Sequence, residues 1–328
     1  MSSQKNYSTA LTHLLDIEFP IIMAPMFLVS NVEMILAGLG AGVTGAIPAL
    51  NYRTDKEFRE AISAIKSQSD KAFGINLIVN KSNIRYPEQL KTCLDLGVDY
   101  VITSLGSPQK VIEEGKKQGM KVFCDVVNIQ HAKKVEDLGA DAVIGVNSNA
   151  GGHAGPKTAK ELIPALCNGL SIPVISAGGI GKGDQLHEVL QLGACGISMG
   201  SPFIASKESP VSAEYKQACI DSGSKDIVMT TKLSGTPCTV INTPYVQKIG
   251  TEQNWLEKAL NKNRKLKKWA KLLTAYRGTK ALEKAAFGAT YKTMWCAGPS
   301  IEYTKEILGV AEIVRKFRSE FESSSEGA

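Results

Sequence analysis

The stretch NSNAGGHAGPKT, residues 147–158, sets a single histidine, His153, among glycines and alanines that offer nothing bulky to pack against. The chain has only four histidines. A neutral imidazole in open space can take a proton from carbon, and its cation can hold an anion; a loop histidine that caps the following helix is the plainer alternative. Gly178 and Gly179 in PVISAGGIG, and Gly200 with Ser201 in GISMGSPF, put backbone without bulky side chains where amides can approach a phosphate. Tight turns would explain either pair taken alone. Asn76 interrupts the apolar run AFGINLIV. If buried, it needs hydrogen-bond partners, supplied either by the edge of a bound ligand or by the protein itself.

Eight apolar runs must position these groups: PIIMAP (20–25), GVTGAI (42–47), AFGINLIV (72–79), DYVITSL (99–105), KVFCDVV (121–127), DAVIGVNS (141–148), PVISAGG (173–179) and GISMGS (196–201). Amphipathic helical patterns such as DKEFREAISAIKSQ and KGDQLHEVLQLG separate them, several closing on a glycine suited to a helix C-cap. Strands apolar on both faces require a fully covered parallel sheet. The repeated β/α unit with short connections predicts an α/β fold, a closed (β/α)8 TIM barrel, with a doubly wound open sheet as the alternative. In a barrel, chemistry sits at the C-terminal strand ends. There the two glycine pairs occupy the tips of the seventh and eighth strands, the usual phosphate position, and His153 follows the sixth.

The rhythm changes after residue 205. The expected organisation is an N-terminal segment 1–17, a barrel core 18–212, an appended C-terminal helical layer 213–322 packed on the barrel, and a disordered tail 323–328. Within the layer, 213–223 and 252–290 read as helices, VMTTKLSGTPCTVINTP as an extended connection, and IEYTKEILGVAEIVRKFRSEF as one long amphipathic helix. The basic run 261–280 has the apolar spacing of a solvated helix; a docking face for an acidic partner is the other reading. His13 falls in the N-terminal segment, and His131 and His187 fall on predicted surface helices, so none competes with His153.

Bulk properties narrow the class. With 43% apolar residues and 30 glycines in 328 residues, the chain can bury a large core. A net charge of +6, from 38 basic and 32 acidic residues, does not by itself call for nucleic acid. Seven scattered cysteines form no CxxC pair and no metal-ligand spacing. No basic-then-apolar leader and no long apolar run occurs, so the expectation is a cytoplasmic protein with neither membrane nor nucleic-acid partner and no metal.

The succession IIMAPM, FGINL, NAGGHAG, PVISAGGIG, GISMGSPF and WCAGPS, from about residue 18 to about residue 315, resembles the nitronate monooxygenase family, formerly 2-nitropropane dioxygenases. That family shares its barrel with the FMN-dependent enoyl-ACP reductases. AGGIG and MGSPF are common to many FMN barrels; AGGHxG together with APM and a late W-x-AG is more specific. The resemblance implies FMN, with Ala24, Pro25 and Met26 presenting backbone groups and a thioether to the isoalloxazine ring. It also implies Asn76 on the ring edge, Gly151 and Gly152 opening space above the ring, and Ala177, Gly178, Gly179, Gly200 and Ser201 at the phosphate end. His153 becomes the catalytic base. Without the resemblance, Met26 reads equally well as core filling.

What it implies about function is an FMN-dependent oxidation of alkyl nitronates or nitroalkanes by O2 to a carbonyl compound and nitrite. The alternative is an NADH-dependent enoyl-ACP or quinone reductase, which would add acyl carrier protein as a partner; a flavin-binding barrel without turnover is a third reading. A homodimer is compatible with either enzyme. No separate GxGxxG dinucleotide motif is present. Three positions depart from the family pattern: Asn149 where relatives often carry an acid, Pro299 where the late motif often reads AGQ, and Asp125 at the fifth strand tip, where relatives use a basic or neutral group.

Overall fold

The computed structural model describes residues 7–81, 83–232, 237–252 and 294–325. Each apolar run forms a strand: β1 (Ile21–Met23), β2 (Thr44–Pro48), β3 (Gly74–Ile78), β4 (Tyr100–Ser104), β5 (Lys121–Val126) and β6 (Ala142–Val146). After the two-residue β7 (Gly152–His153) come β8 (Val174–Ala177) and β9 (Gly196–Met199). The ring closes in the order β1-β2-β3-β4-β5-β6-β8-β9, all pairs parallel. This is the (β/α)8 barrel, and the open sheet is excluded.

Alternation along the strands divides the core in two. Ile22, Ala46, Tyr100, Ile102, Phe123, Ile144, Ile175 and Ala177 fill the barrel interior, while Ile21, Val101, Val122, Val143, Val174 and Ile197 face the helices. Tyr100 and Phe123 stack at 5.1 Å inside the barrel, and the Tyr100 hydroxyl lies 3.1 Å from Thr44 Oγ1. Gly74 makes room for that ring: a Cβ there would stand 2.2 Å from Tyr100 Cε2. Helix α1 (Ala10–Leu15) plugs the N-terminal end with Leu11 and Leu15. Its partner glycine is Gly196, where a Cβ would meet Leu11 at 2.5 Å.

The covering helices are α2 (Val32–Gly40), α3 (Asp55–Lys66), α4 (Tyr86–Asp95), α5 (Gln109–Lys116), α6 (Ile129–Asp137), α7 (Ala159–Gly169) and α8 (Gly183–Gln191). Local chemistry fixes several starts. Asn31 and Asn128 accept the third helical amide, and Thr54 with Glu57 forms a capping box.

Beyond the barrel, α9 (Ala213–Asp221) is followed by β10 (Ile227–Thr230) and β11 (Cys238–Ile241), then α10 (Pro244–Ile249). β10 and β11 pair antiparallel with each other, and β11 pairs with β7. Within the stretch expected as an extended connection, the described residues therefore include two strands that join β7 in a small sheet. The single long helix expected from residue 301 is also corrected. Pro299–Tyr303 is a 3-10 turn, and the helix proper, α11 (Val310–Ser325), starts after Gly309, where Glu208 takes the Val310 amide at 3.0 Å. α11 runs into the stretch expected as tail. It crosses α8 at Gly183, where a Cβ would lie 2.2 Å from Phe321 N. The expected helix 252–290 and the basic run 261–280 lie outside the described residues, apart from Glu252. No helix among the described residues is long and apolar enough to cross a membrane.

Candidate active site

At the C-terminal barrel end, two turns stand side by side. Gly178 and Gly179 follow β8 with φ of +115° and +78°. Gly200 and Ser201 follow neighbouring β9 and open a 3-10 turn, Ser201–Phe203. The amides of Gly178, Gly179, Ile180, Gly200 and Ser201 donate to no group among the described residues. These undonated amides, on the tips of two neighbouring strands, are the candidate anion cradle, with Met26 and Ala24 packed beside Gly200. The first turn of α8 adds less than its position suggests, since Gln185 Oε1 takes the Gly181 and Lys182 amides at 2.8 and 3.1 Å.

Close packing makes the glycines obligatory. A Cβ on Gly178 would stand 2.5 Å from Asn147 Oδ1, and one on Gly179 would stand 2.9 Å from Asn149 Cβ. Asn147 is fully buried. It accepts the Asn149 amide at 2.8 Å and donates to Gly178 O at 3.0 Å, clasping the β6 loop to the β8 turn. Gly151 is pressed against Ser201 Oγ and Gly298 N, at 2.8 and 2.9 Å from where its Cβ would be. Ser201 Oγ in turn accepts the Gly298 amide at 2.8 Å. The late WCAGPS motif is thus folded onto AGGH, anchored by Trp295 stacked on Tyr215 at 5.4 Å.

His153 lies on β7, directly opposite Cys238 of β11. Thr239 holds the strand: its Oγ1 accepts the Gly152 amide at 2.9 Å and donates to Ala150 O at 2.9 Å. The residue is exposed, yet the surrounding protein withholds enough water to lower its pKa from the ordinary 6.5. The imidazole is therefore neutral at pH 7. Its glycine neighbour has room, as a Cβ on Gly152 would meet nothing within 4 Å. His13 and His187 lie on α1 and α8, and His131 lies on α6.

Ala24, Pro25 and Met26 leave β1 at the same end, but their backbone donors are spent. Ala24 N donates to Met199 O at 2.8 Å and Met26 N donates to Ser30 Oγ at 2.9 Å. The segment offers a ligand a surface of methyl, proline ring and thioether rather than N–H groups. Leu28, just beyond, is held at φ +59° with its amide on Asn51 Oδ1, a strained conformation of the sort that gathers at ligand sites.

Asn76 is buried. It gives both amide hydrogens to the protein, to Ile102 O at 3.0 Å and Ser104 Oγ at 2.8 Å, so toward a ligand it can only accept. Ser104 donates to Asp125 Oδ2 at 2.5 Å, and burial pushes the Asp125 carboxyl up to about 6. Sequence reasoning missed Asn147, Ser104 and Thr239. Only the period-two pattern of CTVI hinted at a strand carrying Thr239. Among the described residues, no cluster of His, Cys, Asp and Glu could hold a metal.

The small top layer of Ala24, Ala177 and Gly200, the amide cradle and the acceptor at Asn76 together fit a flat heteroaromatic ring carrying a phosphate. The family relationships identify a flavin-dependent oxidoreductase. The family model described as nitronate monooxygenase matches residues 81–320, and the chain belongs to that family. A 5-hydroxy-7a-methyl-1-oxo-octahydro-1H-indene-4-carboxyl-CoA dehydrogenase of Rhodococcus jostii is 32% identical over 241 residues, covering 74% of this chain and 67% of that protein. A probable nitronate monooxygenase of Staphylococcus saprophyticus is 30% identical over 287 residues, covering 74% and 81%. The solved structure of FabK from Thermotoga maritima superposes with a TM-score of 0.85 at 30% identity, covering 98% of both chains.

Proposed function

We propose that the protein binds FMN at the open barrel end and oxidises alkyl nitronates or their parent nitroalkanes with O2, giving a carbonyl compound and nitrite. The observation that carries this reading is His153, neutral, glycine-flanked and fixed on a strand paired with β11. Family membership supports the substrate class. When bound, FMN supplies a two-electron acceptor that passes its electrons on to O2.

The protein's own part follows from its residues. The amides of Gly178, Gly179, Ile180, Gly200 and Ser201 hold the phosphate. Ala24, Pro25, Met26 and Ala177 give the ring a small-residue floor, and Asn76 Oδ1 accepts a ring N–H. Gly152 leaves space clear for substrate, whereas Gly151, expected to do the same, serves instead to let the loop pack on Ser201 and Gly298. His153 takes the proton from the carbon alpha to the nitro group and keeps it on a ring nitrogen, placing the new anion beside an imidazolium. Aqueous substrate, O2 and a homodimer belong to this reading, and a cytoplasmic setting suits its free thiols.

A second reading is favoured by one observation, the 32% identity to a dehydrogenase named for a CoA thioester. There NADH would reduce FMN, which would then act on an enoyl thioester or a quinone. Anaerobic stopped-flow mixing separates the two. Ethylnitronate should bleach the flavin rapidly, with NADH slow or inert. Rapid bleaching by NADH alone would replace the first reading by the second.

A further inference from the structure

Across the barrel mouth from the amide cradle stands a hydrogen-bonded chain that ends in an acid without a counter-charge. Four steps round the ring in either direction separate β4 from β9. Ile102 and Phe123 point into the barrel, so Ser104 and Asp125, two residues further along the same strands, point inward too. The direction of the chain is fixed by chemistry. The Asn76 amide nitrogen can only donate, so Ser104 receives its hydrogen and gives its own to Asp125 Oδ2. Asp125 Oδ1 accepts from no group among the described residues.

The surroundings of Asp125 are uncharged. On β4 it meets Ser104, on β6 its register partner is Ile144, and the Asn76 amide lies beyond Ser104 on β3. The Cys124 thiol is the adjacent titratable group; it faces the helical side and burial pushes it up to about 12. Asp141, at the start of β6, accepts the Val122 amide at 2.8 Å. No cation among the described residues acts on the carboxyl, which burial raises to about 6. A carboxylate kept inside with one hydrogen bond and no counter-charge costs stability unless a ligand uses it.

We infer that the Asn76–Ser104–Asp125 chain seats the pyrimidine edge of the cofactor, with Asp125 Oδ1 taking up a proton when the ring gains two electrons. The inference rests on the FMN reading above. Two electrons and one proton, bound on the ring, leave one negative charge on that edge; a second proton, drawn from water onto Asp125, offsets it. Two electrons are then matched by two protons, and the reductant in the test, dithionite, supplies the electrons.

The experiment measures the midpoint potential of the FMN-reconstituted protein from pH 5 to pH 8.5. Below about pH 6 Asp125 is already protonated, and reduction takes up one proton; above it, two. Each extra proton makes reduction tenfold harder per pH unit, which is about 30 mV at two electrons. The wild-type slope should therefore steepen above about pH 6. Asp125→Asn should lose the steep limb and, at pH 8, be easier to reduce by about 100-fold, or ~60 mV. Ser104→Ala removes the hydrogen bond that favours the carboxylate, and should move the bend to higher pH. Overlapping profiles for wild type and Asp125→Asn would overturn the inference. If that variant does not fold, an unmoved bend in Ser104→Ala overturns it. Wild-type protein that binds no FMN overturns the FMN reading instead.

Discussion

Thr239 is tied to Gly152 by a 2.9 Å hydrogen bond from the Gly152 amide, and the same hydroxyl donates to Ala150 O at 2.9 Å. One side chain of β11, 87 positions further along the chain, therefore sets the strand that carries His153. Thr239→Val keeps the shape and removes both bonds, leaving two backbone groups unpaired at a cost of about 1 to 3 kcal/mol. Turnover should fall about tenfold or more through misplacement of the imidazole, with FMN content unchanged. Full turnover in Thr239→Val would show that β11 does not position His153.

His153→Asn should lower turnover of a neutral nitroalkane by about 100- to 10,000-fold, the usual contribution of a positioned base. A pre-formed nitronate has already lost that proton, so its turnover should fall less. Steady-state rates on both substrates, normalised to bound FMN, decide the matter. Equal losses on both would assign His153 to anion binding.

The pH profile follows from the lowered pKa of His153. A base must be unprotonated, and desolvation disfavours its cation, so the acid limb of nitroalkane turnover should be centred below pH 6.5. An acid limb centred above pH 6.5 would contradict the desolvation that the loop imposes.

Asp125 bears on stability as well. Its folded pKa of about 6 lies above the ordinary 3.8. Burial disfavours the folded carboxylate, so stability is fullest at low pH, where the acid is protonated folded and unfolded, and is lost as pH rises through about 6. Asp125→Asn should therefore gain on wild type between pH 4 and pH 7, by about 2 to 3 kcal/mol at most. Urea unfolding of apo-protein at both pH values measures it, and a difference independent of pH would refute it.

Gly74→Ala should destabilise by about 1 to 3 kcal/mol or more, because its Cβ would enter the Tyr100 ring. Pairing it with Tyr100→Leu should recover part of the loss in thermal unfolding. Strict additivity of the two changes would mean that the glycine serves another purpose.

The barrel was legible in the sequence because its evidence is local. Each strand announces itself by a short run apolar on both faces, and each helix by spacing and cap, so all eight strands and the strand-tip placement of Gly178, Gly179, Gly200 and Ser201 follow from neighbours in the chain. His153 was conspicuous for the same reason, since its glycines are its neighbours. The pairing of β7 with β11, the clasp of Asn147 on Gly178, the bond from Gly298 to Ser201 and the chain from Asn76 to Asp125 join residues that lie far apart in sequence. Hydrogen bonds of this kind depend on which loops the closed ring brings over the same opening, and no local period encodes them. The sequence determined the scaffold and the chemical groups available at its rim. The tertiary structure alone decided which amides are left undonated, that Asn76 can only accept, and that an acid stands uncompensated at Asp125, because those properties depend on what else is within hydrogen-bond reach.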